Sequence, residues 1–483
     1  MLDTLNEFTK TYKQIMIMKT RFAPSPTGHI HLGNARTALF NFLLAHSQSG
    51  CFLLRMEDSD ATRSLRVFAK ELEEDLRWLG LPWQEGPGQE KGLGPYYQSQ
   101  RQAIYMLYYE QLVSMGRAYP CFCSEAALLM MRKQQLARGK PPRYSGHCRQ
   151  LTAEQIAEKK AQGQLASLRF HVLPRQTVQF DDFVKGEQTF FTDDIGDFVI
   201  QRSDGSAAFF FCNAIDDALM NVTHVLRGED HLTNTPRQIL LLQALGLTLP
   251  AYGHMALIVG DDASPLSKRH GSFSIKNLRE IGYFAEALQN YLARLGHTYT
   301  NPNFLDIHAL AEQFSLKRLG KSSARFDEAQ LLYWQKQALL QLSQERLLEW
   351  LGTKIRNLVP QSMQLAFVDL MRSTICFPNQ AIAWALILFS ENPLNFTNEI
   401  KNYLQNVDPM YWQRLLTLLE EGPLDFKNLL KQLQEKLKLK GKSLYRPLRL
   451  ALTGCHDGPE LEKLVKLLDA EKIRERIYDV KNL

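Results

Sequence analysis

The spacing of apolar and polar positions changes several times along the chain. Arg21-Phe22-Ala23 has strand character and is broken by Pro24, Ser25, Pro26, Thr27 and Gly28. Ala35, Ala38, Leu39, Phe42 and Leu43 then recur at helical spacing, on one face. Residues 51–56 form a second apolar run of strand length, ending at Glu57-Asp58. Strand, Gly-bearing loop, helix and strand together predict a βαβ unit with parallel strands. Ligands of such sheets gather at the carboxyl ends of the strands, so residues 25–34 and 57–60 are expected to lie together.

Residues 101–205 read differently. Helical stretches alternate with short runs and a basic loop, Arg138-Gly-Lys-Pro-Pro-Arg143. This segment is predicted to be an insertion. Residues 207–212 and 222–226 are predicted to be strands that return to the first sheet. Another apolar run, 254–259, leads into the polar loop 260–271, and beyond about 275 the pattern is helical. The expected fold is an α/β Rossmann-type catalytic domain with an inserted domain, followed by an all-α C-terminal half. The expected division is an N-terminal extension at 1–18, a catalytic domain at 19–100 and 206–260, an insertion at 101–205, a loop-bearing region at 261–340 and a helical region at 341–483. Met16 and Met18 closely precede the first strand and offer alternative starts that would leave out residues 1–15.

Composition narrows the classes. Of 483 residues, 45% are hydrophobic and 22% charged, enough apolar content for a core and against global disorder. The net charge of +6 is modest, so a polyanion partner must be argued from local clusters. The densest is 431–449, with seven Lys or Arg against one Glu. No apolar run reaches the ~18 residues of a membrane span. Seven cysteines, an odd and small number, argue against a disulfide framework and for a reducing cytoplasm.

Two loops carry candidate chemistry. His29, Ile30, His31, Leu32, Gly33 and Asn34 lead into the first helix, whose N-terminal N–H groups suit phosphate; Gly33 permits close approach and His31 can donate to a phosphate oxygen. The second loop, Pro265, Leu266, Ser267, Lys268 and Arg269, places two cations and a hydroxyl where a transferring phosphoryl group needs charge stabilisation.

The order and separation of these loops resemble the signatures of class I aminoacyl-tRNA synthetases, most closely the bacterial glutamyl-tRNA synthetase family. The resemblance is carried by Arg21-Phe-Ala-Pro-Ser-Pro-Thr-Gly28, His31-Leu-Gly-Asn34, Arg55-Met-Glu-Asp-Ser-Asp60 and Asp216-Asp217. It continues in Thr223-His-Val-Leu-Arg-Gly-Glu-Asp-His231, Leu266-Ser-Lys-Arg-His-Gly271, Lys440-Gly-Lys442 and Ala451-Leu-Thr-Gly454. It implies that His31, Gly33 and Lys268 act on ATP, with Mg²⁺ as companion ion. It further implies that Arg21, Ala23, Ser25, Glu57, Phe209, Asn213 and Arg227 bind L-glutamate. A guanidinium forks onto a carboxylate and an acid receives the ammonium, so the residue types suit this amino acid. Pro265 and Phe209 depart from the common Lys and Tyr of the family.

The implied reaction is ATP-dependent ligation of L-glutamate to the 3′-terminal adenosine of tRNA(Glu), with tRNA(Gln) left open as acceptor, by a monomer. A small-molecule adenylyltransferase shares the two loops but needs no basic helical half. A tRNA-modifying relative lacks that half, and glutaminyl enzymes carry a β-rich one. The resemblance also bears on Cys121, Cys123 and Cys148, which offer three thiolates for a zinc ion, with Tyr144 or His147 as the fourth donor. RNA contacts are expected from Arg132, Lys133, Arg138, Lys140 and Arg143 in the insertion, and from Lys436, Lys438, Lys440, Lys442, Arg446 and Arg449 near the C-terminus.

Overall fold

A computed structural model describes residues 17–59, 66–139, 141–264, 266, 274–420 and 426–483. The chain forms two compact units, Met1–Arg279 with Leu288–Glu328, and Glu280–Ala287 with Ala329–Leu483.

The first unit begins with the expected βαβ. Strand β1 (Lys19–Phe22) runs parallel to β2 (Cys51–Leu54), in register from Lys19–Cys51 to Phe22–Leu54. Helix α1 (Leu32–Ser47) crosses between them and buries Ala35, Ala38, Leu39, Phe42 and Leu43, the face that the periodicity marked. The helix starts at Leu32, slightly before the expected Gly33-Asn34, with His31 as its N-cap.

Residues 118–201 hold five further strands. β3 (Ala118–Cys121), β4 (Ser167–Phe170) and β7 (Phe198–Gln201) form an antiparallel sheet in the order β3-β4-β7. β5 (Thr177–Asp182) and β6 (Gly186–Phe191) form a hairpin.

The expected strand at 207–212 is instead the start of helix α2 (Phe209–Leu219). Residues 207–212 are all apolar and carry no period of their own, while the helix goes on to bury Phe211 to Asp217, polar Asn213, Asp216 and Asp217 among them. A short apolar run cannot be told from a strand by periodicity. The second expected strand does form, as β8 (His224–Gly228), parallel to β9 (Ala251–Met255), with α3 (Thr235–Leu245) between them. Thr223 N–H donates to the Lys19 carbonyl at 2.9 Å, which sets β8 beside β1. The carboxyl ends of all four parallel strands therefore face one region.

The second unit is helical throughout its described residues, as expected. Its core is apolar, with Phe367, Leu433 and Leu452 fully buried. No helix of the described residues is long and apolar enough to cross a membrane.

Candidate functional site

A cavity of about 500 Å³ opens at those carboxyl ends. All seven residues expected for the amino acid line it: Arg21, Ala23, Ser25, Glu57, Phe209, Asn213 and Arg227. From the first signature, Pro24, Thr27, His31, Gly33 and Asn34 also line it, whereas Pro26, Gly28, His29, Ile30 and Leu32 do not. From the second signature only Leu266 can be placed, and it lines the same cavity. Pro265, Ser267, Lys268 and Arg269 lie outside the described residues.

The chain after residues 267–273 touches the first signature, and the chain before them borders the same cavity. Leu266 N–H donates to the Ile258 carbonyl at 2.9 Å, beside the cavity. Ser274 forms a β-bridge with His31, and Ile275 N–H donates to the Ile30 carbonyl at 2.8 Å. At the N-terminus of α1, unpaired N–H groups and the helix dipole favour an anion. At Gly33 a Cβ would meet His31 Nδ1 at 3.4 Å, an ordinary contact, so the glycine leaves this end bare without being sterically required there.

The other end of the cavity is a buried ion network. Arg55, fully buried, donates from Nη1 to Asp217 (2.7 Å) and from Nη2 to Glu57 (3.1 Å). Asp217 also accepts from Arg21 Nε at 3.2 Å. Asp216 accepts from Arg101 (2.7 Å), Gln98 (2.9 Å) and Tyr105 (2.8 Å). Glu57 accepts from the Asn213 amide. Burial raises the Glu57 carboxyl above its ordinary range, against the pull of Arg55 and Asn213. Burial would raise Asp217 as well, but Arg21 and Arg55 overcome it and hold that carboxyl low.

Of the three arginines that line the cavity, Arg36 donates to the Leu295 and Ala256 carbonyls, and Arg21 and Arg227 are held differently. Arg21 spends its Nε on Asp217. Arg227, 5% exposed, donates from Nη2 to Thr235 (2.9 Å) and Gln238 (2.7 Å) and from Nε to His254 (3.2 Å). Its Nη1 is buried with no hydrogen-bond partner among the described residues. Burial and then the neighbouring Arg21 lower Arg227 to about 10. Two guanidiniums in mutual repulsion, one with a free buried donor, make a site that an anion completes.

Arg55, Asp216 and Asp217 stood in the sequence motifs without a role. Residues two apart along extended backbone share a face, so the spacing of Arg55 and Glu57 already carried the signal for their pairing. Asp182, His254 and Gln238 had no comparable signal, because each meets Arg227 or its neighbours only through the fold.

The three cysteines expected as ligands converge, with their Sγ atoms within 4.8 Å of one another. Tyr144 Oη lies 3.4 Å from Cys121 Sγ and 3.5 Å from Cys123 Sγ. Burial alone would raise Cys121, but Tyr144 and Arg169 bring it down to about 7. His147, the alternative donor, is exposed. In the second unit, Lys436, Lys438, Lys440 and Lys442 are exposed, while Arg446 stacks 4.6 Å over Tyr403 and Arg449 donates to the Pro459 carbonyl (3.0 Å). Lys442, Arg446 and Arg449 border a second cavity of about 450 Å³.

Comparison with known proteins gives one answer. The family model for tRNA synthetases class I (E and Q), catalytic domain, matches residues 17–333, and that for an anticodon binding domain matches 334–481. Glutamate–tRNA ligase 2 of Coxiella burnetii (strain RSA 493 / Nine Mile phase I) is 51% identical over 463 residues, covering 96% of this chain and 99% of the relative. Glutamate–tRNA ligase 2 of Nitrosococcus oceani is 51% identical over 462 residues, covering 96% and 98%. The crystal structure of a glutamate tRNA ligase from Elizabethkingia meningosepticum, in complex with its amino acid, superposes with a TM-score of 0.85 at 27% identity, covering 96% of this chain and 99% of that one.

Proposed function

The chain belongs to the class I tRNA synthetases for glutamate and glutamine, and we infer that its cavity holds L-glutamate between Arg21, Arg227 and Glu57, with ATP over the first signature. The reaction is ATP-dependent ligation of glutamate to tRNA in translation. The observation that carries the residue assignment is the buried Arg227 Nη1, unpartnered among the described residues, in a cavity that Arg21 and Glu57 also line. A dicarboxylic amino acid satisfies both guanidiniums and presents its ammonium to Glu57. Glutamine in the same place leaves a buried guanidinium facing an amide, which costs binding.

The glutamate α-carboxylate oxygen attacks the α-phosphorus of ATP. A P–O bond forms, the bond to the bridging oxygen breaks, and pyrophosphate departs with that electron pair. His31, the N–H groups opening α1 and Lys268 stabilise the charge on the phosphates, and Mg²⁺ accompanies the nucleotide. The 2′-hydroxyl oxygen of the terminal adenosine then attacks the carbonyl carbon of the mixed anhydride, the C–O bond to phosphate breaks, and AMP departs with that electron pair while its phosphate takes up the hydroxyl proton. No group of the enzyme is covalently changed, so its contribution is position and charge.

Residues 101–205 are assigned to the acceptor end of tRNA, with Arg132, Lys133, Arg138 and Arg143 on its phosphates; Lys140 lies outside the described residues. The helical unit is assigned to the anticodon arm, with Lys436, Lys438, Lys440, Lys442, Arg446 and Arg449 as contacts. Cys121, Cys123, Cys148 and Tyr144 supply three sulfurs and one oxygen, a donor set that suits zinc. The ion would brace β3 to the segment around Cys148 and takes no part in the chemistry. Metal analysis of purified protein is expected to find one zinc per chain, lost in Cys123→Ser. The deciding experiment for the function is [¹⁴C]glutamate charging of purified tRNA(Glu) and tRNA(Gln) transcripts. Product with tRNA(Glu) is expected, and no product with either RNA overturns the reading.

A further inference from the structure

Arg227 is held by a chain of buried groups that starts in the hairpin of residues 177–191. Asp182, at the end of β5, is 1% exposed, and His254, on β9, is fully buried. Asp182 Oδ2 lies 2.5 Å from His254 Nδ1, and Asp182 Oδ1 accepts from the His254 main-chain N–H at 3.2 Å. Asp182 is itself fixed, because Oδ1 also accepts from the N–H groups of Val184 (2.9 Å) and Lys185 (2.8 Å). The far side of the ring, His254 Nε2, faces Arg227 Nε at 3.2 Å and Thr235 Oγ1 at 2.9 Å.

The geometry fixes the imidazole's protonation. The Nε–H of an arginine can only donate, so the nitrogen facing it must accept. His254 Nε2 is therefore bare, and the ring proton sits on Nδ1 and is donated to Asp182. We propose that Asp182 and His254 are positioning residues for the amino acid: through this tautomer they orient Arg227 so that its Nη1 meets a glutamate carboxylate. This rests on the placement of glutamate given above. With Nε and Nη2 both tied to the protein, Nη1 is the donor left for a ligand.

The hairpin is fastened where the chain of bonds begins. Phe183 N–H donates to the Tyr252 carbonyl at 3.0 Å, and the Phe183 ring lies over Gly253, where a Cβ would come within 2.0 Å of it. Lys185 pairs with Glu229, which accepts from Leu257 N–H at 3.1 Å, beside the cavity. Asp182 is thus held against β9 from both sides.

Protonation of His254 breaks the arrangement, because an Nε2–H would point at the Arg227 Nε–H. The charged and titratable groups that face His254 are Asp182, Arg227, His231 and, beyond Arg227, Arg21. Burial keeps His254 below the usual histidine range against the pull of Asp182, so the ring is neutral at neutral pH.

The test uses the full-length enzyme and tRNA(Glu) transcript, measuring KM for glutamate, KM for ATP and kcat. In Asp182→Asn, the side-chain amide can donate to Nδ1 and admit the opposite tautomer, the failure known when a histidine loses its carboxylate partner. His254→Asn keeps the link to Asp182 and loses the acceptor for Arg227, whereas His254→Gln keeps the acceptor. Asp182→Asn and His254→Asn are expected to raise the glutamate KM about tenfold, the scale of one charge-assisted hydrogen bond. The ATP KM is expected to stay within about twofold, and His254→Gln to cost about threefold. Asp182→Asn added to His254→Gln is expected to cost little more, since the two act through one bond. The wild-type glutamate KM should rise as pH falls through the lowered His254 pKa, and this limb should flatten in His254→Gln. Arg227→Ala separates the two readings. If it leaves the glutamate KM unchanged, the placement of glutamate fails. If it raises that KM strongly while Asp182→Asn and His254→Asn stay within about twofold of wild type, the positioning role is overturned and the placement stands. Equal rises in both KM values, with a lowered Tm, also overturn it in favour of general distortion.

Discussion

The two units bury different things. In the first, charged side chains lie deep in the interior: Arg21, Arg55, Glu57, Asp182, Asp216, Asp217 and Arg227 are all under 9% exposed. In the second, Arg476 is the one charged residue so buried among the described residues, and it donates to the Leu452 and Ile387 carbonyls. Buried ion networks are poor stabilisers, because desolvation offsets most of the Coulombic gain. Their concentration around one cavity therefore points to use rather than stability. The helical unit, which is assigned a polyanion, keeps its charges in water, where they can meet phosphate without prior desolvation.

This contrast can be broken by substitution. Arg55→Met should have the largest effect on the fold, because it strands Asp217 and Glu57 with reduced compensation. A loss of about 3–5 kcal/mol in urea unfolding of the first unit is expected. A loss under 1 kcal/mol would mean that the network is not cooperative. Leu433→Ala in the second unit should cost about 2–5 kcal/mol by leaving a cavity in an apolar core, with no dependence on pH.

The pH dependence sharpens the difference. Burial raises Asp75, in the first unit, to about 6, against the pull of Arg279 at 3.5 Å. A carboxyl raised on folding stabilises the fold at low pH, and that contribution is lost as pH climbs from its unfolded pKa to about 6. Asp75→Asn removes this dependence. The variant should gain on wild type by about 1–3 kcal/mol between pH 4 and pH 7. Asp217, held low, works in the opposite sense and stabilises the fold until pH falls through its depressed pKa. A constant difference between Asp75→Asn and wild type across that range would show that Asp75 is not raised. The smallest effect on stability is expected from Lys438→Ala with Lys440→Ala, within about 0.5 kcal/mol. Its signature lies in tRNA binding, whose dependence on log salt concentration should become shallower by roughly one to two units.

Much of this was legible in the residues themselves. The βαβ unit, the face of α1, the helical second half and the seven cavity residues expected for the amino acid were all set out by local pattern or motif. The strand expected at 207–212 failed because six apolar residues in a row carry no period, and periodicity separates helix from strand only where polar positions break the run. Arg55 was visible as a motif residue and its pairing with Glu57, two residues on, follows from their spacing, but its pairing with Asp217 on α2 comes only from the fold.

Local chemistry is written along the chain, so the sequence alone determined the element types, the helix that opens toward phosphate, and the kinds of charge the site would need. Tertiary structure alone decided which charges neutralise one another and which stay available. Asp182 and His254 are 72 positions apart, and nothing in either neighbourhood announces the other. Only chain closure, driven by apolar burial far from both, brings them together and leaves one nitrogen of Arg227 facing the cavity.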